Sequence, residues 1–150
     1  MSIAASVPSF GCTCARLRKL ARRLTRIYDA HLSAQAIKVT QYSLLANAAR
    51  GERTLSEFAA ELEMDRSTLS RNLAPLAAQG WVSIAVGADS RSRSISVTAA
   101  GRRKLKAALP LWRKAQCEVE AILGAAGVSE LHRKIDRALA TLPVPSGKHA

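Results

Sequence analysis

Two short runs of strictly alternating side chains lie near the middle of the chain, W-V-S-I-A-V at residues 81–86 and S-I-S-V at residues 94–97. Val82, Ile84 and Val86 share one face of the first run, and Ile95 and Val97 share one face of the second. The intervening loop contains Gly87 and Asp89, so the pair predicts a β-hairpin. Its tip carries Arg91 and Arg93 and no apolar residue larger than Ala88, a composition suited to an anionic partner.

Helical periodicity flanks the hairpin on both sides. Residues 12–33 place Leu17, Leu20, Leu24, Ile27, Tyr28 and Leu32 at three- and four-residue steps, which predicts one long amphipathic helix. Its other face holds Arg16, Arg18, Lys19, Arg22, Arg23 and Arg26. That stripe reads first as a solvated face, with a second binding surface as the alternative. Thr40 is the expected N-cap of a short second helix through Ala49, ended by Gly51. Thr54-Leu-Ser-Glu57 has the spacing of a capping box and opens a third helix with Leu55, Phe58, Ala59 and Leu62 inward. Glu63 and Met64 make a turn, and Asp65 caps a fourth helix running to about Gln79, bent at Pro75 and stopped by Gly80.

After the hairpin, Thr98 caps a long helix with Leu105, Leu109, Trp112, Val119, Ile122 and Leu123 inward and a kink at Pro110. A break at residues 124–127 precedes a last helix capped by Ser129, with Leu131, Ile135, Leu139 and Leu142 apolar. The tail, residues 143–150, reads as loose. Trp81 and Trp112 are expected in the core.

Three helices followed by a hairpin make a winged helix-turn-helix, so the fold class is mainly α (α+β). At 150 residues the chain is one domain, and 48% hydrophobic with 4% aromatic residues points to an aliphatic helical core. The winged lobe spans about residues 36–101. The helices at about 12–35 and 102–142 are amphipathic yet lie outside it, so their stripes are expected to be buried between two chains. A two-fold homodimer reads a palindrome with half-sites about one helical turn apart.

Twenty-three Lys and Arg against 11 Asp and Glu give a net charge of +12. That favours an anionic polymer over a small acidic substrate, without separating DNA from RNA or a membrane surface. The first eleven residues hold no charged side chain and no long apolar run, and no stretch approaches the ~18 apolar residues of a membrane helix. The expected location is the cytoplasm, without membrane association. Cys12, Cys14 and Cys117 are too few and too scattered for a disulfide framework, and no histidine stands beside them for zinc. No metal or cofactor is expected. His31, His132 and His149 are isolated.

The hairpin segment Asp89-Ser-Arg91 through Val97-Thr98-Ala-Ala-Gly101 matches a wing signature D-x-R followed by L-T-x-x-G, with Val97 in place of the commoner Leu. Together with Leu55 to Leu62, Asp65-Arg66-Ser67-Thr68-Leu69-Ser70-Arg71, Leu73, Leu76 and Gly80-Trp81-Val82, it resembles the MarR family of bacterial transcription regulators over about residues 12–142. The resemblance implies a dimeric repressor of a palindromic operator in double-stranded DNA, released by a small molecule or an oxidant. Arg66, Ser67, Thr68, Ser70 and Arg71 then fall on the recognition helix, whose start enters the major groove. Arg91 matches the wing arginine placed in the minor groove, with Arg93 on phosphate and Asp89 bracing the wing by pairing with an arginine; the alternative for Asp89 is a plain turn residue, since Asp favours turns. A cleft between the dimer helices and the lobe would take a small aromatic or phenolic ligand.

Cys14 lies fourteen residues before Tyr28. This is similar to the organic-hydroperoxide-sensing branch of the family, in which a reactive cysteine opens the first helix. Cys117 stands where two-cysteine members carry the resolving thiol of the other subunit. The helix start and Arg18, one turn on, place positive potential beside Cys14. Arg18 and Val39 occupy positions where that branch has tyrosines, and Cys12 has no counterpart in it. The alternatives are a thiol-based peroxide-reacting protein and a winged-helix module for RNA or protein. The first reading is a regulator, not an enzyme.

Overall fold

The structure is a computed structural model that describes residues 11–144. Its elements run α1 (Thr13–Leu32), a single 3-10 turn (Ser33–Gln35), α2 (Val39–Ala48), β1 (Arg53–Thr54), α3 (Leu55–Glu61), α4 (Arg66–Ala78), β2 (Val82–Val86), β3 (Arg93–Val97), α5 (Ala99–Leu123) and α6 (Ala125–Thr141). The sheet is antiparallel with strand order β1-β3-β2. β2 and β3 form the expected hairpin, with Val82 opposite Val97 and Ile84 opposite Ile95.

The core gathers where the aliphatic faces meet. Leu32 from α1, Leu45 from α2, Phe58 from α3, Leu69, Leu73 and Leu76 from α4, and Ile95 from β3 are fully buried. Trp81 is buried at the foot of the wing, and Trp112 is half-buried with its ring stacked on Tyr42, 6.2 Å between centroids and 18° between planes. α5 runs along α1 and α2, and its small residues Ala108 and Ala115 let the helices approach.

Local signals account for most boundaries. Thr54 and Glu57 close the capping box in both directions, the Glu57 amide donating to Thr54 Oγ1 at 3.2 Å and the Thr54 amide to Glu57 Oε2 at 2.8 Å. Gly80 takes φ +72°, the left-handed conformation that ends α4, and the Trp81 amide then donates to the Leu76 carbonyl at 2.9 Å. Both α4 and α5 run on through their prolines, Pro75 and Pro110.

Two expectations are corrected. α2 is capped at Lys38 rather than Thr40: Asp29 Oδ1 accepts from the Val39 amide at 2.7 Å, and Gln41 reaches back to the Lys38 amide at 3.0 Å. A partner from α1 thus places the cap two residues before Thr40. The break after α5 is Gly124 alone, at φ +77°, and α6 begins at Ala125 rather than after Ser129. The Val128 amide closes the first turn on the Gly124 carbonyl at 3.0 Å, and burial of the Val128 side chain holds that turn in place. The apolar face of β2 is not uniformly buried: Val82 is 3% exposed, Ile84 39% and Val86 61%, because the hairpin runs out past the core. In the single chain Ile122, Leu123, Leu139 and Leu142 are exposed. The tail expected to be loose lies, from residue 145, outside the described residues.

Candidate nucleic-acid interface

α3, the turn at Glu63 and Met64, and α4 form the helix-turn-helix. Glu63 takes φ +51°, and the Met64 amide returns to the Ala59 carbonyl at 2.9 Å, which sets the angle between the two helices. Burial of Leu69, Leu73 and Leu76 turns the opposite edge of α4 outward, leaving Arg66, Ser67, Ser70 and Arg71 exposed and Thr68 half-buried.

The start of α4 is a compact network. Asp65 Oδ1 accepts from the Thr68 amide at 2.8 Å and the Ser67 hydroxyl at 2.6 Å, and Oδ2 accepts from the Thr68 hydroxyl at 2.6 Å. Arg71 Nη2 donates to Thr68 Oγ1 at 3.2 Å. The Ser67 bond, then those from Thr68, with the Arg71 charge adding to them, hold the Asp65 carboxyl well below the usual carboxylate range. A depressed native pKa means the cap is in place at neutral pH and is lost only on strong acidification. The hydroxyl protons of Ser67 and Thr68, expected to be free for bases or phosphates, are therefore given to Asp65. The donors this edge offers outward are Ser70 and the guanidinium groups of Arg66 and Arg71, the latter with donors to spare.

The wing is held from within. The Asp89 carboxylate accepts from the Arg91 amide at 3.1 Å, and its carbonyl accepts the amide and hydroxyl of Ser92 at 2.8 and 2.9 Å. Of the two readings of Asp89 this is the turn residue, not the partner of an arginine side chain, because a short Asp side chain reaches the amide two residues on without a partner from elsewhere. Arg91 and Arg93 are left exposed, and among the described residues neither forms an ion pair.

At the base of the wing, Thr98 Oγ1 donates to the Gly80 carbonyl at 2.6 Å and accepts from the Gly101 amide at 3.0 Å, while the Thr98 amide donates to the Trp81 carbonyl at 3.0 Å. One residue thus ties the end of α4, the foot of β2 and the start of α5 together. Sequence reasoning missed the other tie, Arg53 on β1. Its guanidinium bonds Glu61 and the Asn47 carbonyl and lies 4.6 Å over the Phe58 ring.

The three cysteines are exposed and unpaired. Cys12 is the N-cap of α1, its Sγ accepting from the Ala15 amide at 3.4 Å. Cys14 and Tyr28 are not brought together within one chain, since fourteen helical residues span about 21 Å. The Tyr28 hydroxyl instead donates to Gln116 Oε1 on α5, beside Cys117; burial, then the Glu120 charge, raise its pKa above the ordinary value. Arg18 is exposed one turn beyond Cys14. A cavity of about 540 Å³ lies in the winged lobe. It opens between the start of α2 and α4, with Lys38 and Arg71 as its cations and Val39, Leu62, Met64 and Pro75 among its apolar walls.

The sequence matches the MarR family model over residues 37–92. In fold and sequence the chain is similar to the M. tuberculosis transcriptional regulator MosR solved in complex with DNA, at 38% identity and TM-score 0.75, covering 86% of this chain and 96% of that one. The chain belongs to the MarR family. A second MosR structure gives 34% identity and TM-score 0.71, over 90% of this chain and all of that one. A mutant MarR from E. coli complexed with operator DNA shares the fold at 23% identity and TM-score 0.74, over 83% and 92% of the two chains. No curated protein matches the sequence. As a MarR-family protein the chain is a transcriptional regulator. Among its described residues no helix is long and apolar enough to cross a membrane, and no three metal-ligating side chains cluster.

Proposed function

We propose that this MarR-family chain works in the cytoplasm as a two-fold dimer that represses a palindromic operator until a small molecule or an oxidant releases it. The observation that carries the reading is the pairing of two exposed cationic elements on one clamped unit: the edge of α4 with Arg66 and Arg71, and the wing with Arg91 and Arg93. Thr98 and Gly101 fix the wing's base to the end of α4 and the start of α5, so both elements are presented together. α4 suits the major groove, where Arg reads guanine, and the narrow wing suits the minor groove and phosphates. Residues 36–101 form the DNA-binding lobe, and residues 12–35 and 102–142 join the subunits.

Arg91→Ala is expected to weaken binding to the chain's own promoter region about tenfold to a hundredfold, with helix content and dimerisation unchanged. Full affinity in a folded variant contradicts the wing's role.

The cavity beside Arg71 supports a small aromatic acid as one release signal, since an occupant there would sit against a DNA-contacting side chain. An oxidant is the second reading, and the cap at Cys12 favours it. A hydroperoxide oxidises a thiol to sulfenic acid, leaving an alcohol, and a second thiol condenses with it to a disulfide and water. Cys12 oxidation removes the acceptor that caps α1, and Cys14 of one subunit and Cys117 of the other are exposed thiols for the condensation. Cumene hydroperoxide is expected to abolish DNA binding, dithiothreitol to restore it, and Cys12→Ser with Cys14→Ser to make binding insensitive. Binding unaffected by the oxidant rules out this signal. Over a thiol enzyme, the regulator is favoured by the match to the MarR family and to the MosR regulator.

A further inference from the structure

We infer that the outer face of α1 is a second DNA-binding surface, which takes the phosphate backbone without regard to base sequence. The inference rests on the DNA-binding reading above but uses residues outside the winged lobe. Arg16, Arg18, Lys19, Arg22, Arg23 and Arg26 are all exposed. At 3.6 residues per turn they fill one continuous arc, opposite Leu17, Leu20, Leu24, Ile27 and Tyr28. No acidic residue occurs before Asp29. Among the described residues no ion pair joins Arg18, Lys19, Arg22, Arg23 or Arg26 to a carboxylate.

Such a face works against its own helix. Arg18 and Arg22, Lys19 and Arg23, and Arg22 and Arg26 are like-charge pairs at i,i+4, each destabilising. Arg16 also sits in the first turn of α1, at the positive end of the helix dipole. An ordinary solvated face mixes both signs and avoids this repulsion. A uniformly cationic one has its repulsion relieved when a polyanion lies along it.

The shape of the row favours DNA. Arg16, Lys19, Arg23 and Arg26 follow one another at three- and four-residue steps, a nearly straight line about 15 Å long that can follow a strand of phosphates. No aromatic or large apolar residue interrupts it. Insertion into a lipid surface would need the apolar face of the helix. That face is turned inward, with Tyr28 bonded to Gln116 and tilted against Trp112.

The test is a variant carrying Arg18→Gln, Lys19→Gln, Arg22→Gln, Arg23→Gln and Arg26→Gln, since Gln keeps the helix propensity of Arg and Lys. Its binding is titrated across a range of NaCl on a long mixed-sequence duplex and on a promoter duplex trimmed to the protected footprint. On the long duplex the slope of log Kobs against log salt is expected to fall in magnitude by about 2–4 relative to the unmodified protein. An unchanged slope with retained preference for the promoter overturns the α1 surface and leaves the regulator reading standing. Absence of promoter preference in the unmodified protein overturns the regulator reading instead. Loss of binding to phosphatidylserine vesicles with an unchanged DNA slope assigns the face to lipid and overturns the inference. If the fivefold variant does not fold, Arg22→Gln with Arg26→Gln carries the same test, with an expected fall of about 1–2.

Discussion

Gly101→Ala is expected to lower stability by about 3 kcal/mol, at the upper end of overpacking costs. For a chain of this size that is a fall in Tm of about 6–12 °C. A Cβ at this position would meet the Trp81 carbonyl oxygen at 2.1 Å and Val97 Cγ2 at 2.8 Å. The carbonyl cannot swing aside, because it accepts the Thr98 amide at 3.0 Å, and the Thr98 hydroxyl lies 3.2 Å from it. Relief has to come from moving the start of α5 away from the foot of the wing, which breaks the clamp that presents the DNA-binding lobe. Thermal unfolding followed by circular dichroism checks this. A fall of less than about 2 °C shows that the junction is looser than these contacts describe.

Leu139→Glu combined with Leu142→Glu is expected to convert the dimer to monomer and to reduce operator affinity by about a hundredfold or more. Within one chain these side chains are 60% and 64% exposed, so the substitutions cost the single subunit's own packing little. Ile122 and Leu123 at the end of α5 and Leu17 on α1 are exposed as well. We propose that a second copy covers them. A palindrome bound by two linked lobes gains about 10²–10⁴ over one lobe alone, and that factor is lost with the dimer. Light scattering reports the mass and a mobility shift the affinity. A variant that remains a dimer with full affinity contradicts the placement of α6 at the subunit interface.

The parts of this architecture written in local chemistry were legible in the sequence. Thr54 with Glu57, Asp65 before α4, Gly80 after it and Thr98 before α5 each satisfy backbone groups within a few residues, so their spacing alone marks the boundaries. The hairpin showed in its alternation and its tip in two arginines. β1 was not legible, because two residues are too short for a period and Arg53 becomes a strand only opposite Ile95. The start of α2 depends on Asp29, ten residues earlier, and the start of α6 on the burial of Val128. The cavity draws its walls from α2, the α3–α4 turn and α4, so no single segment announces it.

The candidate site was legible at the level of the helix edge and the wing tip, but not in its bonding. Asp65 followed two and three residues later by Ser67 and Thr68 was a visible signal that those hydroxyls serve the cap. Asp89 likewise stood two residues before the amide it holds. Ser67 and Thr68, assigned to DNA, had a side-chain partner at hand in Asp65, and Asp89 had a backbone partner nearer than any arginine side chain. The apolar stripe of α1 is largely covered within the single chain, with Leu17 as the exception, whereas Leu139 and Leu142 at the end of α6 are left exposed, which the single chain does not explain.

The measurement that tests the account most directly is a salt-dependent titration of the purified dimer against its own promoter region and against a mixed-sequence duplex of the same length. The account predicts a preference for the promoter of about 10³ or more that persists as salt weakens both complexes. Equal affinity for the two duplexes at every salt concentration, with only a shared electrostatic slope, contradicts it.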